Sequence, residues 1–281
     1  MLKHIQIFET RDLNYLKPYY DKATSLGFKL NFTNNTHLQH NKLYQEFLNL
    51  YQHYSVNPPE FEIACFARYF AIASILTSDE PFLLTDTDVY ITQSFRAIQG
   101  YDLKDTFVGS EAFDSNGSVE HISPHCTFWN RALLMDFLQF TLDTYKRNQK
   151  DNFLGKYHRT INQKFGPSTI SDMNLIYLWI KTNKVPHINS NSTKFEFGID
   201  HNIATTLCED DEFESLFGRK YLKIKGDTIT CALKSGKGQD MALLHFQGTY
   251  KGILKKFYAG SHLKFYYFSL KNNYKMNKSI F

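Results

Sequence analysis

Cysteine is scarce in this chain and poorly spaced for metal. Cys65, Cys126, Cys208 and Cys231 form no C-x-x-C pair. That argues against a structural zinc site and favours reduced thiols. No run of about 18 apolar residues is present, so no membrane-spanning helix is expected. The opening "MLKHIQIFETRD" lacks an apolar stretch of signal-peptide length, and the reading is a non-secreted, cytoplasmic protein. Internal repeats and Ser/Gly linkers are missing. The net charge of +4 is too mild to announce a nucleic-acid binder, though it suits an anionic ligand. Tryptophan occurs only twice, against 25 Phe and 18 Tyr. That bias fits an AT-rich genome and says little about function. Acidic residues are absent from 253–281, a segment rich in lysine and aromatics.

What is present is a globular α/β pattern. With 281 residues the chain can bury a full core. "HIQIFE" reads as a strand and the segment ending at Gly27 as a helix. Asp12 is one candidate N-cap for it, and Pro18 favours a start nearer Lys17. "FKLNFT" is a second strand. A β-α-β opening favours a parallel sheet. Residues 60–78 read as an apolar helix in which Glu60, Glu62 and Arg68 stand out. Strands are expected at 81–85, 106–113 and 121–130, and helices at 131–148 and 170–183. A last strand begins at Asp240. Residues 149–169 read as an irregular, mobile loop, and 190–240 give no clear pattern. The simplest division is one domain over 1–252 and a basic, aromatic appendage over 253–281.

Two strand ends carry chemistry. "PFLLTDTDVYI" delivers Asp86 and Asp88 after an apolar strand. In open α/β sheets, ligands gather beyond the carboxyl ends of strands. Paired carboxylates make a hard-oxygen site for Mn²⁺ or Mg²⁺; the bland alternative is a capped turn. "ALLHFQGTYKG" delivers His245, Gly248 and Lys251. The imidazole offers a third metal ligand. Glycine lets backbone approach a phosphate, and the lysine would sit on a diphosphate.

"ARYFAIASILTSDEPFLLTDTDVYI" and "HFQGTYK" together resemble retaining glycosyltransferases of family 8, the glycogenin and lipopolysaccharide galactosyltransferase type, or a neighbouring D-x-D family. The resemblance implies a GT-A fold, a Rossmann-like and mostly parallel sheet flanked by helices. It implies a UDP-sugar or similar donor, a Mn²⁺ or Mg²⁺ ion and a glycan acceptor such as bacterial surface polysaccharide or lipopolysaccharide. Asp86, Asp88 and His245 would hold the ion. Arg68 would position the donor or the aspartates, with Asp86 near the ribose. Lys251 would bind the distal phosphate, and Gly248 would lie against the donor. Asp172, at a helix start beside Ser171, is the candidate for the reacting sugar, and a plain N-cap role competes; below the acceptor oxygen it would instead be a general base and the outcome would invert. The first strand departs from the family's small-residue and Asp pattern.

Phe128 and Trp129 are candidates for stacking on a sugar face, with His125 beside them, although core packing is the commoner fate of such residues. The loop 149–169 would close over the donor. The tail would dock on anionic headgroups beside a lipid-linked glycan acceptor, or pack on the domain. No nucleic-acid motif accompanies it, so nucleic acid is not expected as a partner. Rival readings are a glycosyltransferase-type toxin acting on a protein, a haloacid-dehalogenase-type phosphatase and a non-catalytic nucleotide-sugar binder. Tyr90 stands where the phosphatase pattern has Thr or Val.

Overall fold

The computed structural model describes residues 1–11, 16–166, 169–217, 219–262 and 265–267. The expected β-α-β opening is there: β1 (His4–Phe8), α1 (Lys17–Ser25) and β2 (Lys29–Thr33), with β1 and β2 parallel. Pro18 lies in the first turn of α1, where a missing N–H costs nothing, and Gly27 follows its end at φ +93°. Asp12 lies outside the described residues.

After α2 (Lys42–Leu50) and α3 (Pro59–Ile75) come β3 (Phe82–Thr85) and β4 (Val89–Ile91). Next are β5 (Phe107–Asp114), β6 (Gly117–Trp129), α4 (Arg131–Asp151), α5 (Phe153–Phe165), α6 (Asp172–Asn183) and β7 (His187–Asn189). The main sheet has the order β2-β1-β3-β6-β5-β7. All its strands run one way except β6, which is antiparallel to both neighbours. This is a mixed α/β fold with a mostly parallel central sheet flanked by helices.

The segment 190–240 hides a second, largely antiparallel sheet. It is built from β11 (Leu222–Lys225), β12 (Thr228–Ala232), β13 (Gly238–His245) and β4, with β8 (Gly198–Ile199) alongside β13. The short pair β9 (Ser215–Leu216) and β10 (Arg219–Lys220) stands apart. α7 (Lys251–Tyr258) follows the small sheet.

Side chains alternate across β3. Phe82 and Leu84 enter the apolar cluster under α3, α4 and α6, while Leu83 enters the cluster on the opposite face with Ile5, Ile7 and Phe128. A third cluster, with Tyr90, Leu244 and Phe257, covers one face of the small sheet, while Val89, Ile91 and Leu243 on its other face join the cluster of Leu83.

One expectation about the elements needs correction. Residues 149–166 are not an irregular loop: α4 runs on to Asp151 and α5 follows. Only Asn152, at φ +55°, breaks them, a conformation that asparagine tolerates. Leu154 and Ile161 are buried among polar neighbours, so the helical spacing was diluted rather than missing. The segment beginning at 253 is anchored at its start: Ile253 and Phe257 of α7 are buried on the third cluster, and Phe257 meets the Tyr90 ring edge-on at 4.8 Å. Residues 263–264 and 268–281 lie outside the described chain. Among the described residues no helix is long and apolar enough to cross a membrane.

Candidate functional site

Asp86, Thr87 and Asp88 form the link between β3 and β4, so the two carboxylates leave one sheet and enter the other. The backbone is pinned on both sides. Asp86 N–H donates to the His125 carbonyl at 2.9 Å, and Phe246 N–H donates to the Asp88 carbonyl at 2.8 Å. Antiparallel pairing sets Val89 opposite His245. The end of β13 therefore delivers the imidazole beside Asp88, although the two lie far apart in sequence. Ligand atoms of Asp86, Asp88 and His245 all fall within 4.8 Å of one another.

The His245 ring has a fixed orientation. Its Nδ1 donates to the His201 carbonyl at 2.7 Å, which turns Nε2 toward Asp88 Oδ1, 3.5 Å away. The His245 N–H donates to Asp200 Oδ2 at 2.9 Å. Asp200 in turn pairs with Lys220 at 2.7 Å, both side chains being fully buried. Lys220 also donates to the carbonyls of Asn202 and Thr205. Burial opposes a charged imidazole, but the Asp88 contact outweighs it and raises the His245 pKa. Burial likewise pushes the Asp88 carboxyl up. The contact and charge of His245, then of Lys251, overcome that and hold it well below the usual carboxylate range.

Lys251 Nζ lies 2.8 Å from Asp88 Oδ2, with its side chain 59% exposed and free to turn. Gly248 opens the intervening turn at φ +61°, where a side chain would be strained.

Arg68 does not reach into solvent. From the middle of α3 it donates to Asp86 Oδ1 at 2.6 Å and to the Cys65 carbonyl at 2.9 Å, and it lies 3.7 Å from Asp172 Oδ2. Asp172 is not the helix cap. Ser171 takes the N-cap position and pairs with Asn174, which leaves the Asp172 carboxyl to other partners. Oδ2 accepts from the Tyr69 hydroxyl at 3.0 Å, and Oδ1 accepts from Met173 N–H at 3.0 Å. Burial raises its pKa to about 6, with Arg68 and Tyr69 pulling back only in part.

Arg68, Asp86, Asp88, Asp172, His245 and Lys251 line one cleft of about 640 Å³, while Gly248 does not. An adjoining hollow of about 380 Å³ runs from Asp86 and Asp88 toward Glu9 and Arg11 after β1. Val119, His121, Ser123 and Pro124 of β6 line the cleft as well. The rest of that strand does not. Phe128 and Trp129 are fully buried on opposite faces of β6, so neither stacks on a sugar. β6 lies between β3 and β5 with both faces covered, which leaves no exposed side for its aromatics. His125 is also buried, stacked on the His245 ring at 4.3 Å and 3°. It backs the site rather than facing the groove.

Sequence reasoning missed Asp200, His201 and Lys220, which lie in the stretch that gave no pattern. It noticed Glu62 as a polar residue in an apolar helix but gave it no role. The exposed aromatic on the cleft is Phe61.

No protein family description and no curated protein matches the chain. Among solved structures, it is similar to a glycosyltransferase involved in glycosylation of the major capsid of PBCV-1. The identity is 11% over 92% of this chain and 99% of that one, with a TM-score of 0.43. It is also similar to the galactosyltransferase LgtC in complex with donor and acceptor sugar analogs, at 13% identity over 70% of this chain and 76% of that one, TM-score 0.41. The glycosyltransferase GlyE of Streptococcus pneumoniae TIGR4 matches at 12% identity over 68% of this chain and 46% of that one, TM-score 0.35. All three are glycosyltransferases. The likeness is distant, and the chemistry of this chain has to be read from its own residues.

Proposed function

We propose that the protein is a metal-dependent glycosyltransferase that moves a sugar from a UDP-sugar donor to a glycan acceptor, with retention. The observation that carries this reading is the convergence of Asp86, Asp88, His245 and Lys251 at the ends of β3 and β13. The donor set fits a divalent ion. Two carboxylates and an imidazole suit Mn²⁺ or Mg²⁺, and Asp88 Oδ1 is buried without a hydrogen-bond partner. When bound, such an ion supplies a Lewis acid for the charge that grows on the diphosphate.

The chain's own residues supply the rest. Lys251 turns from Asp88 to a phosphate oxygen and stabilises the departing diphosphate. Gly248 lets the backbone of that turn come close to the donor. Arg68, engaged with Asp86 and Asp172, keeps both carboxylates aimed into the cleft and helps seat the donor beside Asp86. Asp172 meets a hydroxyl of the reacting sugar. Both its oxygens already accept hydrogen bonds, which suits holding a sugar better than abstracting a proton, and this supports retention. Positioning of the acceptor hydroxyl supplies much of the remaining rate.

The acceptor in this reading is a surface polysaccharide or lipopolysaccharide precursor linked to lipid. The enzyme meets it at the cytoplasmic face of the membrane. Lysines and aromatics over 253–281, with no acidic residue, support peripheral docking by that appendage on the domain formed by 1–252.

Thermal shift against UDP, GDP, CMP and ADP, each with and without Mn²⁺, tests the reading. A ligand bound only by the folded state raises apparent stability, by about 2.7 kcal/mol at a hundred times Kd. The expected result is a shift with UDP that needs Mn²⁺ and is lost in Asp88→Ala. No Mn²⁺-dependent shift with any nucleotide would overturn the proposal.

A further inference from the structure

The cleft wall carries one group that this mechanism leaves unused. Glu62 projects from the first turn of α3, about 9 Å along the helix axis from Arg68. It is 1% exposed and lines the same cleft. Its Oε1 accepts from the Ser55 hydroxyl and the Asn57 amide, each at 2.7 Å. Its Oε2 is buried and has no hydrogen-bond partner. Buried polar atoms are nearly always satisfied, so an orphan carboxyl oxygen in a cleft wall marks the place of a ligand donor. The oxygen accepts and cannot be served by another acceptor.

The surroundings narrow that ligand. Asp114 and Asp172 line the same cleft, so the wall is rich in acceptors. Arg68 is committed to Asp86 and Asp172. Phe61, next to Glu62, is 57% exposed and gives the cleft an apolar face. Hydroxyl-accepting carboxyls beside an aromatic ring suit a neutral or amino sugar. A sugar bearing its own carboxylate would meet like charge in a partly dehydrated space.

We infer that Glu62 is a specificity-determining residue: it accepts hydroxyls of a neutral or amino sugar ring that reaches past Asp172, and it turns away acidic sugars. The inference rests on the donor reading above. Titration calorimetry with Mn²⁺ and, separately, UDP, UDP-glucose and UDP-glucuronic acid tests it. The wild type is expected to bind UDP-glucose about tenfold or more tighter than UDP-glucuronic acid. Glu62→Gln should shrink that ratio by a similar factor while UDP affinity stays the same, and Glu62→Asp should restore the discrimination. Should Glu62→Gln fail to fold, Phe61→Lys, at an exposed position, brings a cation to the same wall and should narrow the ratio too. A ratio unchanged in the folded variant, with UDP binding intact, overturns the inference. Absence of Mn²⁺-dependent UDP binding in the wild type sinks the donor reading instead, and this inference with it.

Discussion

Replacing Asp172 by asparagine should make the protein more stable and less active. The carboxyl lies at about 6 against an ordinary 3.8 because burial outweighs the help of Arg68 and Tyr69. That difference corresponds to about 3 kcal/mol against the ionised form. Between those values the folded chain holds a proton that the unfolded chain has released. The stability this proton linkage contributes is therefore fully present below pH 3.8 and lost as the pH rises through about 6. Asparagine has no charge to desolvate, and its carbonyl still accepts from Met173 N–H. Its amide cannot accept from Tyr69, whose hydroxyl must turn and accept instead. Allowing about 1–2 kcal/mol for that exchange and for the weakened hold on Arg68, the net gain at neutral pH is about 1–2 kcal/mol. Urea unfolding of both proteins across the pH range reads it directly, with unchanged slope as the sign of an unchanged fold. The gain should fade as the pH falls from about 6 to about 4 and be gone below that, while transfer activity at neutral pH drops by about 10² or more. A variant less stable than wild type at neutral pH, or a gain that does not vary with pH, would refute the reasoning.

His245→Ala should weaken Mn²⁺ binding by at least about tenfold in titration calorimetry, and unaltered Mn²⁺ affinity would remove His245 from the site. Lys251→Met should lower kcat by about 10²–10³ while the Mn²⁺ requirement persists; an unchanged kcat would show that the lysine does not touch the leaving group. Lys220→Met leaves Asp200 charged and buried, so it should destabilise the fold by about 3–5 kcal/mol in urea unfolding. The double variant with Asp200→Asn should recover part of that loss, and no recovery would mean that the pair does not act together.

The strand ends were legible because their chemistry is local. An apolar run that empties into Asp86 and Asp88, or into His245 and Gly248, announces itself over a dozen residues. The opening β-α-β unit was legible for the same reason. What a sequence cannot display is the partner supplied from elsewhere. His245 is oriented by the His201 carbonyl and by Asp200, and Asp200 by Lys220, all within a stretch of short strands with weak alternation. Trp129 misled because an aromatic beside histidines looks like a sugar platform. Only the strand order shows that β6 has both faces covered. The loop assigned to 149–169 failed over 149–165, where polar residues outnumber the apolar ones that hold α5 in place.

The short link between β3 and β4 has a mechanical meaning. Asp86 belongs to the frame of the large sheet and Asp88 to that of the small one, and the two sheets meet in one shared apolar cluster that holds Leu83, Val89, Ile91 and Leu243. In the proposed reading, a cation held by both would be a rivet through the seam where the two sheets meet, with His245 tightening it from the side of the small sheet. Chelation would pull that rivet, and loosening would then begin at the short link into β4 rather than in the shared core. Loading the site would thus do two jobs at once, arming the proposed reaction and tightening the join between the two sheets.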